Sequence, residues 1–293
     1  MVKKVLLSIL DFILFSNLFI AICAVAQGLV TYQLLDSRPD KYVLAVIFFG
    51  TLAIYNFGML VTNPKTLAAS PFLSMRWVAE HHRMMISITL ICVLCMIPLG
   101  LLYLSIEAQV LLVFTAVIAI GYNVPFLLIG DQKIGLKNIP GLRIFIIVTV
   151  WCISCVLLPI VELEKNYAIS ISAGETLLLA AKRFLFIIAI TIPFDLHDIA
   201  RDKHHALKTI PALVGEKKAY LFALLLLLLY LLLMLLFNKG FDLSIVALTI
   251  SLFVTAWLII NANRKRNEYY YLLFLDGTML LQYFLLLAVS LAA

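Results

Sequence analysis

Long unbroken apolar runs set the rhythm of this chain, and short polar clusters punctuate them. Nine runs can be read: Val5 to Leu35, Tyr42 to Val61, Met84 to Leu104, Val110 to Ile129, Leu142 to Val161, Leu178 to Ile192, Ala219 to Phe237, Leu243 to Ile260 and Tyr271 to Ala292. Most come close to the ~20 residues a helix needs to cross the hydrocarbon core of a bilayer. The alternating pattern of a membrane β-barrel strand is absent. Lipid offers no partner for backbone N–H and C=O groups, so runs of this length must satisfy them internally, as helices. The pattern predicts an all-α polytopic membrane bundle of nine transmembrane helices, one integral-membrane domain over residues 1–293. The first and sixth runs are the least regular, because Asp11, Asn17 and Gln27 interrupt one and Lys182 and Arg183 lie near the start of the other.

Composition strengthens this reading. Hydrophobic residues fill 64% of the chain and charged ones 13%, about half the charge share of a soluble domain. With the N-terminus in the cytoplasm, only Arg38, Lys41, Lys165, Lys182, Arg183 and Lys239 of the 22 Lys and Arg fall outside. Such a bias orients a multi-pass protein. It predicts a cytoplasmic N-terminus and an outer C-terminus in a membrane of the bacterial inner or plasma type. The net charge of +6 then speaks of orientation and anionic lipid headgroups, not of nucleic acid. Lys3 and Lys4, an apolar stretch and Ala24-Val25-Ala26 imitate a secretory signal. The apolar part exceeds the ~7–15 residues of such a signal, so an uncleaved first helix is expected.

Two connections are much longer than the rest, Thr62 to Arg83 and Asp195 to Lys218, and they hold all five histidines: His81, His82, His197, His204 and His205. Long connections inside a compact bundle usually carry function. The second contains "PFDLHDIARDKHHALKTIP", where Asp195, Asp198 and Asp202 recur at i, i+3 and i+7. On a helix that spacing puts three carboxylates on one face. Hard oxygen donors suit Mg²⁺, which takes one or two carboxylates together with waters and substrate phosphates. Arg201, Lys203 and Lys208 add positive charge for phosphate oxygens. A solvated helix end paired with its own neighbours has the same composition, and spacing does not choose between the two.

The segment "DIARDKHHALKTIPALVG" resembles the second Asp-rich motif of the UbiA-type intramembrane prenyltransferases. Asp198 and Asp202 match the motif aspartates, Lys203 its basic residue, Thr209 and Pro211 its turn, and Gly215 its glycine; Ala206 stands where the family often has Gly. The resemblance implies nine helices around a central cavity that opens to the cytoplasmic side. It implies Mg²⁺-dependent transfer of an isoprenoid chain from a prenyl diphosphate to a lipid-soluble, usually aromatic, acceptor. By the same resemblance Asp198 and Asp202, assisted by Asp195, hold metal and diphosphate, and Asn56, Lys203, Lys208, Arg201 and Tyr122 bind the diphosphate.

The first motif of that family departs here. In "YNFGMLVTNP" Asn56 matches the motif Asn, but Leu60 and Pro64 occupy the two Asp positions. A Tyr followed closely by Lys is met by Tyr122 alone; Phe126 sits near the Lys position, with Lys133, Lys137 and Arg143 as possible substitutes. Two outcomes follow. Glu80 with His81 and His82 restores the missing half, or the chain is a catalytically degenerate relative that binds or moves an isoprenoid or other lipid without turnover.

Other constellations have plainer readings. The C-x-x-C pairs Cys92/Cys95 and Cys152/Cys155 lie inside apolar runs, where Cys packs as a small hydrophobe rather than a zinc ligand. The histidines lack the H-x-x-H-H spacing of a di-iron site. Pro98 and Pro159 lie toward outer helix ends, unlike the broken midplane helices of a secondary transporter. The tyrosines of "EYYYLLFLDG" fit an interfacial aromatic belt. Asp276, some five residues into the last run, is a candidate for lining a cavity, or for a hydrogen bond to a partner helix.

Overall fold

The computed structural model describes residues 2–124, 127–129, 132–134, 136, 141–202, 215–237, 242–262 and 266–292, with side chains described throughout these except at 2–3, 127–129, 132–134 and 198–202. Eight helices among them are long and apolar enough to cross a membrane, and a bent pair makes a ninth.

That bent pair is the first apolar run. It folds as α1 (Val2–Phe15) and α2 (Leu18–Leu34), which meet at 60°. The expectation of one continuous first helix is corrected here, and the break has a local cause. Asn17 adopts φ 64°, a left-handed conformation that Asn tolerates better than most residues. Its side-chain amide donates to Asn56 Oδ1 at 2.8 Å, tying the break to the next helix.

The chain continues through α3 (Lys41–Leu60), whose N-cap Asp40 accepts from the Tyr42 and Val43 N–H groups. The first long connection is built from two short helices, α4 (Pro64–Ala68) and α5 (Leu73–Glu80). Two spans follow, α6 (His82–Tyr103) and α7 (Ile106–Asn123). The fourth run is helical only as far as Asn123. Val124 is extended at ψ 127°, as the residue before a proline prefers to be, and Pro125 follows it. The rest of that run enters a small antiparallel ribbon, β1 (Leu127–Ile129) and β2 (Gln132–Ile134), with Leu127 opposite Ile134.

Beyond the ribbon lie α8 (Leu142–Asn166), with a widened turn at Ile153–Leu157, and α9 (Ala173–Asp202). Both outrun their apolar stretches. Helix α9 passes through Pro193 and on into the charged segment, ten residues past the hydropathy boundary at Ile192. Helix α8 carries Glu162 in its last turns rather than in a loop, and that buried carboxylate accepts from the Ser105 hydroxyl at 2.9 Å. The last helices are α10 (Glu216–Phe237), α11 (Leu243–Asn261) and α12 (Tyr270–Ala292), the last opening with a widened turn over Tyr270–Leu275.

Neighbour relations make a ring. Helix α6 packs on α3, α3 on α2, α2 on α12, then α12 on α11, α11 on α10, α10 on α9, α9 on α8 and α8 on α7. Contact between α7 and α3 closes it. The approach there is tight, since a Cβ on Gly58 would lie 2.7 Å from Asn123 Oδ1. Inside the ring a polar seam joins α2 to α8, α9 and α12. Gln27 Nε2 donates to Met279 O at 2.9 Å, Arg183 Nη2 donates to Gln27 O at 2.8 Å, and Thr31 Oγ1 donates to Cys155 O at 2.6 Å. The cysteines behave as packed hydrophobes with weak S–H donors: all five are free, and Cys23, Cys152 and Cys155 each point at a backbone carbonyl.

The short helices are fixed from a distance in sequence. Glu268 caps α5, accepting from Leu73 N–H at 2.5 Å and Ser74 N–H at 3.1 Å. Trp77 of α5 packs against Phe12 and Phe15 of α1. An N-terminal carboxylate cap stabilises a helix by about 1 kcal/mol. Glu268→Ala is therefore expected to speed amide exchange over residues 73–80 roughly fivefold, measured by hydrogen–deuterium exchange, while the spanning helices keep their protection.

Candidate functional site

The site candidates gather at one end of the ring, where α3 and α9 finish and α2, α8 and α12 begin. Because α9 is helical through Asp202, backbone positions 195, 198 and 202 fall within an arc of about 60°. The side chain of Asp195 is 2% exposed, and Arg143 Nε approaches its Oδ1 to 3.5 Å. Arg143 is placed by the start of α8, where Gly141 takes φ 78°, a left-handed conformation that glycine adopts without a Cβ penalty. Asp195 thus faces a fixed cation on the neighbouring helix. The side chains of Asp198, Arg201 and Asp202, and all of Lys203 and Lys208, lie outside the described residues. As a donor set, two further carboxylates on the face of Asp195 fit Mg²⁺, which fills its remaining positions with water and phosphate oxygens.

The two long connections meet at His197. Its ring lies 5.2 Å from that of Phe72 and 4.4 Å from that of Tyr271. The first-motif positions are used for packing. Leu60 packs with the cluster of Leu67, Met75, Val78 and Met85 that supports α4 and α5, and Pro64 opens α4 behind the N-cap Asn63. Asn56 is fully buried; its Oδ1 accepts from Asn17, and its Nδ2 has no partner among the described residues.

Glu80 is exposed at the end of α5. His81 stacks on Trp77 at 4.3 Å and reaches Trp77 O with Nδ1 at 2.9 Å, while His82 Nε2 is buried without a partner among the described residues. Among the described residues no group of three His, Cys, Asp or Glu is placed to hold a metal ion.

Further inside stands a set that the motifs did not flag. Trp151 Nε1 of α8 donates to Tyr55 Oη of α3 at 3.3 Å, and Tyr55 lies within electrostatic range of Asp276, Tyr122 and Cys23. Only the intramembrane charge at Asp276 was visible in the sequence; an aromatic hydroxyl on a spanning helix carries no comparable signal.

At the mouth, Tyr269 donates to Asp11 and packs on Phe15. Burial, and then this hydrogen bond, push the Tyr269 phenol up to about 12.

The family model of the UbiA prenyltransferases matches residues 78–278, most of the chain, and the chain belongs to that family. The matched segment contains the second motif and starts after the departed first one. The fold is similar to that of a UbiA homolog from Archaeoglobus fulgidus bound to GPP and Mg²⁺, with TM-score 0.68 and 11% identity over 95% of this chain and 99% of that one. It is also similar to the apo structure of a UbiA homolog from Aeropyrum pernix K1, with TM-score 0.55 and 17% identity over 95% of each chain. No curated protein sequence matches the chain.

Tyr269 gives a pH test of the mouth. Its folded pKa stands above the ordinary value of about 10, so the fold prefers the neutral phenol. That contribution is present below pH ~10 and is lost as pH rises toward ~12. The wild-type protein is expected to lose its stability margin over Tyr269→Phe across that interval, with the two unfolding curves in detergent running parallel below it.

Proposed function

We propose that this protein is a Mg²⁺-dependent membrane prenyltransferase that binds the head of a prenyl diphosphate on the acidic face of α9 and its tail within the apolar ring. The observation that carries this reading is the continuation of α9 as one helix through 195–202, with Asp195 already engaged by Arg143. That leaves Asp198 and Asp202, the two positions that match the family motif, as the carboxylates for the ion. Mg²⁺, when bound, supplies the charge that offsets the growing negative charge of a leaving diphosphate.

The chain's own residues do the rest. Arg201, Lys203 and Lys208 hold phosphate oxygens by charge-assisted hydrogen bonds, and Tyr122 faces the leaving group. Asn56 reaches a diphosphate oxygen through its unpaired amide once the ligand has opened that contact. Rupture of the C1–O bond leaves its electron pair on the diphosphate, and the apolar helices keep water from the allylic cation until an acceptor captures it. The excess of Lys and Arg on the connections at this end supports a mouth that opens to the cytoplasm.

A second reading is favoured by the packing of Leu60 and Pro64, which gives one acidic cluster where the family has two. On that reading the cavity binds or moves an isoprenoid without turnover. Purified protein with geranylgeranyl diphosphate and Mg²⁺ separates the two. Diphosphate release by the wild type, with Mg²⁺-dependent binding weakened about 100-fold in Asp198→Asn, is the expected result. Tight binding without release supports the non-catalytic reading. Absence of Mg²⁺-dependent binding overturns both.

A further inference from the structure

The opening helix carries a face that the protein leaves uncovered. Helix α2 is an inner helix, with Ile22 its only exposed residue. Helix α1 leaves the ring: every residue from Lys4 to Ile9 is exposed, and only Leu14 and Phe15, next to the bend, are buried. The projecting part is two-faced. With about 100° between successive residues, Lys4, Ser8 and Asp11 share an arc of about 60° and make a polar stripe. Val5, Leu6, Ile9 and Phe12, each between 39% and 61% exposed, fill an apolar arc of about 120° whose centre lies about 130° away from the stripe. Leu7 borders the stripe.

The bend decides where that arc lies. Helix α2 has 17 residues, about 25 Å of helix, and by itself nearly crosses a hydrocarbon core of about 30 Å. Helix α1 has 14 residues and is about 21 Å long. Running straight on from α2, the pair would measure about 46 Å, far more than the core. At 60° to α2, α1 advances along the α2 axis by only half its length, about 10 Å. That advance matches the ~5–10 Å to which in-plane amphipathic helices sink.

We infer that α1 is an in-plane anchor: its arc of Val5, Leu6, Ile9 and Phe12 sits at the headgroup–acyl boundary of the leaflet that α2 enters first, and its polar stripe faces water. The partner of this surface is the lipid bilayer itself. Charge agrees, since Lys3 and Lys4 are the only charged residues before Asp11, and cations at this level meet anionic headgroups. In water the arc would be a contiguous apolar patch of the kind that soluble surfaces avoid. This inference does not depend on prenyl transfer. It does give the mouth a level, because Phe12 and Phe15 pack on Trp77 of α5 and Asp11 accepts from Tyr269, just before α12. An in-plane α1 thereby holds the short helices of the first long connection near the headgroup plane.

Nitroxide labels on the full-length protein in lipid nanodiscs test this. They are introduced one at a time through Lys4→Cys, Val5→Cys, Ser8→Cys and Ile9→Cys, all at exposed positions where a label disturbs little packing. The native cysteines are free but buried or half-buried, and wild-type protein taken through the same labelling supplies the background. Spin relaxation is read with oxygen, which concentrates in lipid, and with a water-soluble nickel chelate. The oxygen-to-nickel ratio is expected to be about fivefold higher at positions 5 and 9 than at positions 4 and 8, the alternation of a helix half sunk in the boundary. Nickel-dominated relaxation at all four positions puts α1 in water and overturns the anchor. A steady change from position 4 to position 9, with no alternation between faces, overturns it in favour of a continuous span. Shielding of positions 5 and 9 from both reagents overturns it in favour of a protein partner, a second copy of this chain included.

Discussion

Lipid gives a buried polar group nothing to bond with, and this constraint organises the whole bundle. Backbone groups meet it by forming helices. Side chains meet it by pairing across helices, which is why the polar residues of α2 line up on partners rather than on lipid. Gln27 reaches α12, Thr31 reaches α8, and Arg183 of α9 reaches back to Gln27 and Thr31. These contacts tie α2 to three other helices of the ring. Asn17 extends the same logic to the bend, where a backbone conformation rare for a non-glycine residue is held by one amide pair with Asn56.

Groups that escape the rule are informative for the same reason. Asp276 is buried in α12 with no hydrogen bond or ion pair among the described residues, and the Tyr55 hydroxyl proton has no acceptor there. In water such groups would be unremarked. Between helices they need a ligand or a solvent-filled space.

The two ends of the motif pattern have diverged physically as well as in sequence. On α9 the acidic spacing is kept on an unbroken helix, with a buried carboxylate set against Arg143. At the end of α3, Leu60 has become part of the apolar support for α4 and α5. Glu268 and Tyr269 tie those short helices and α1 to the start of α12. Packing occupies the α3 side of the mouth, and the acidic spacing lies on α9.

The number of spans, their helical nature and the acidic face of α9 were legible in the sequence, because they depend on run length and residue spacing along one element. Helix ends were not legible from hydropathy: the fourth apolar run continues to Ile129 although its helix stops at Asn123, ahead of Pro125, and at α9 hydropathy stops at the membrane while hydrogen bonding along the helix does not. The first run reads as one irregular span, interrupted by Asp11, Asn17 and Gln27, and only a φ angle and a contact 39 residues away show that it breaks at Asn17. Asp195 could be named from its spacing, yet its partner Arg143 and the bond between Tyr55 and Trp151 could not. Sequence periodicity records which face of a helix a residue occupies. Which helix that face meets is settled by ring closure, through contacts between residues from 52 to more than 250 apart in the chain, which leave no local trace.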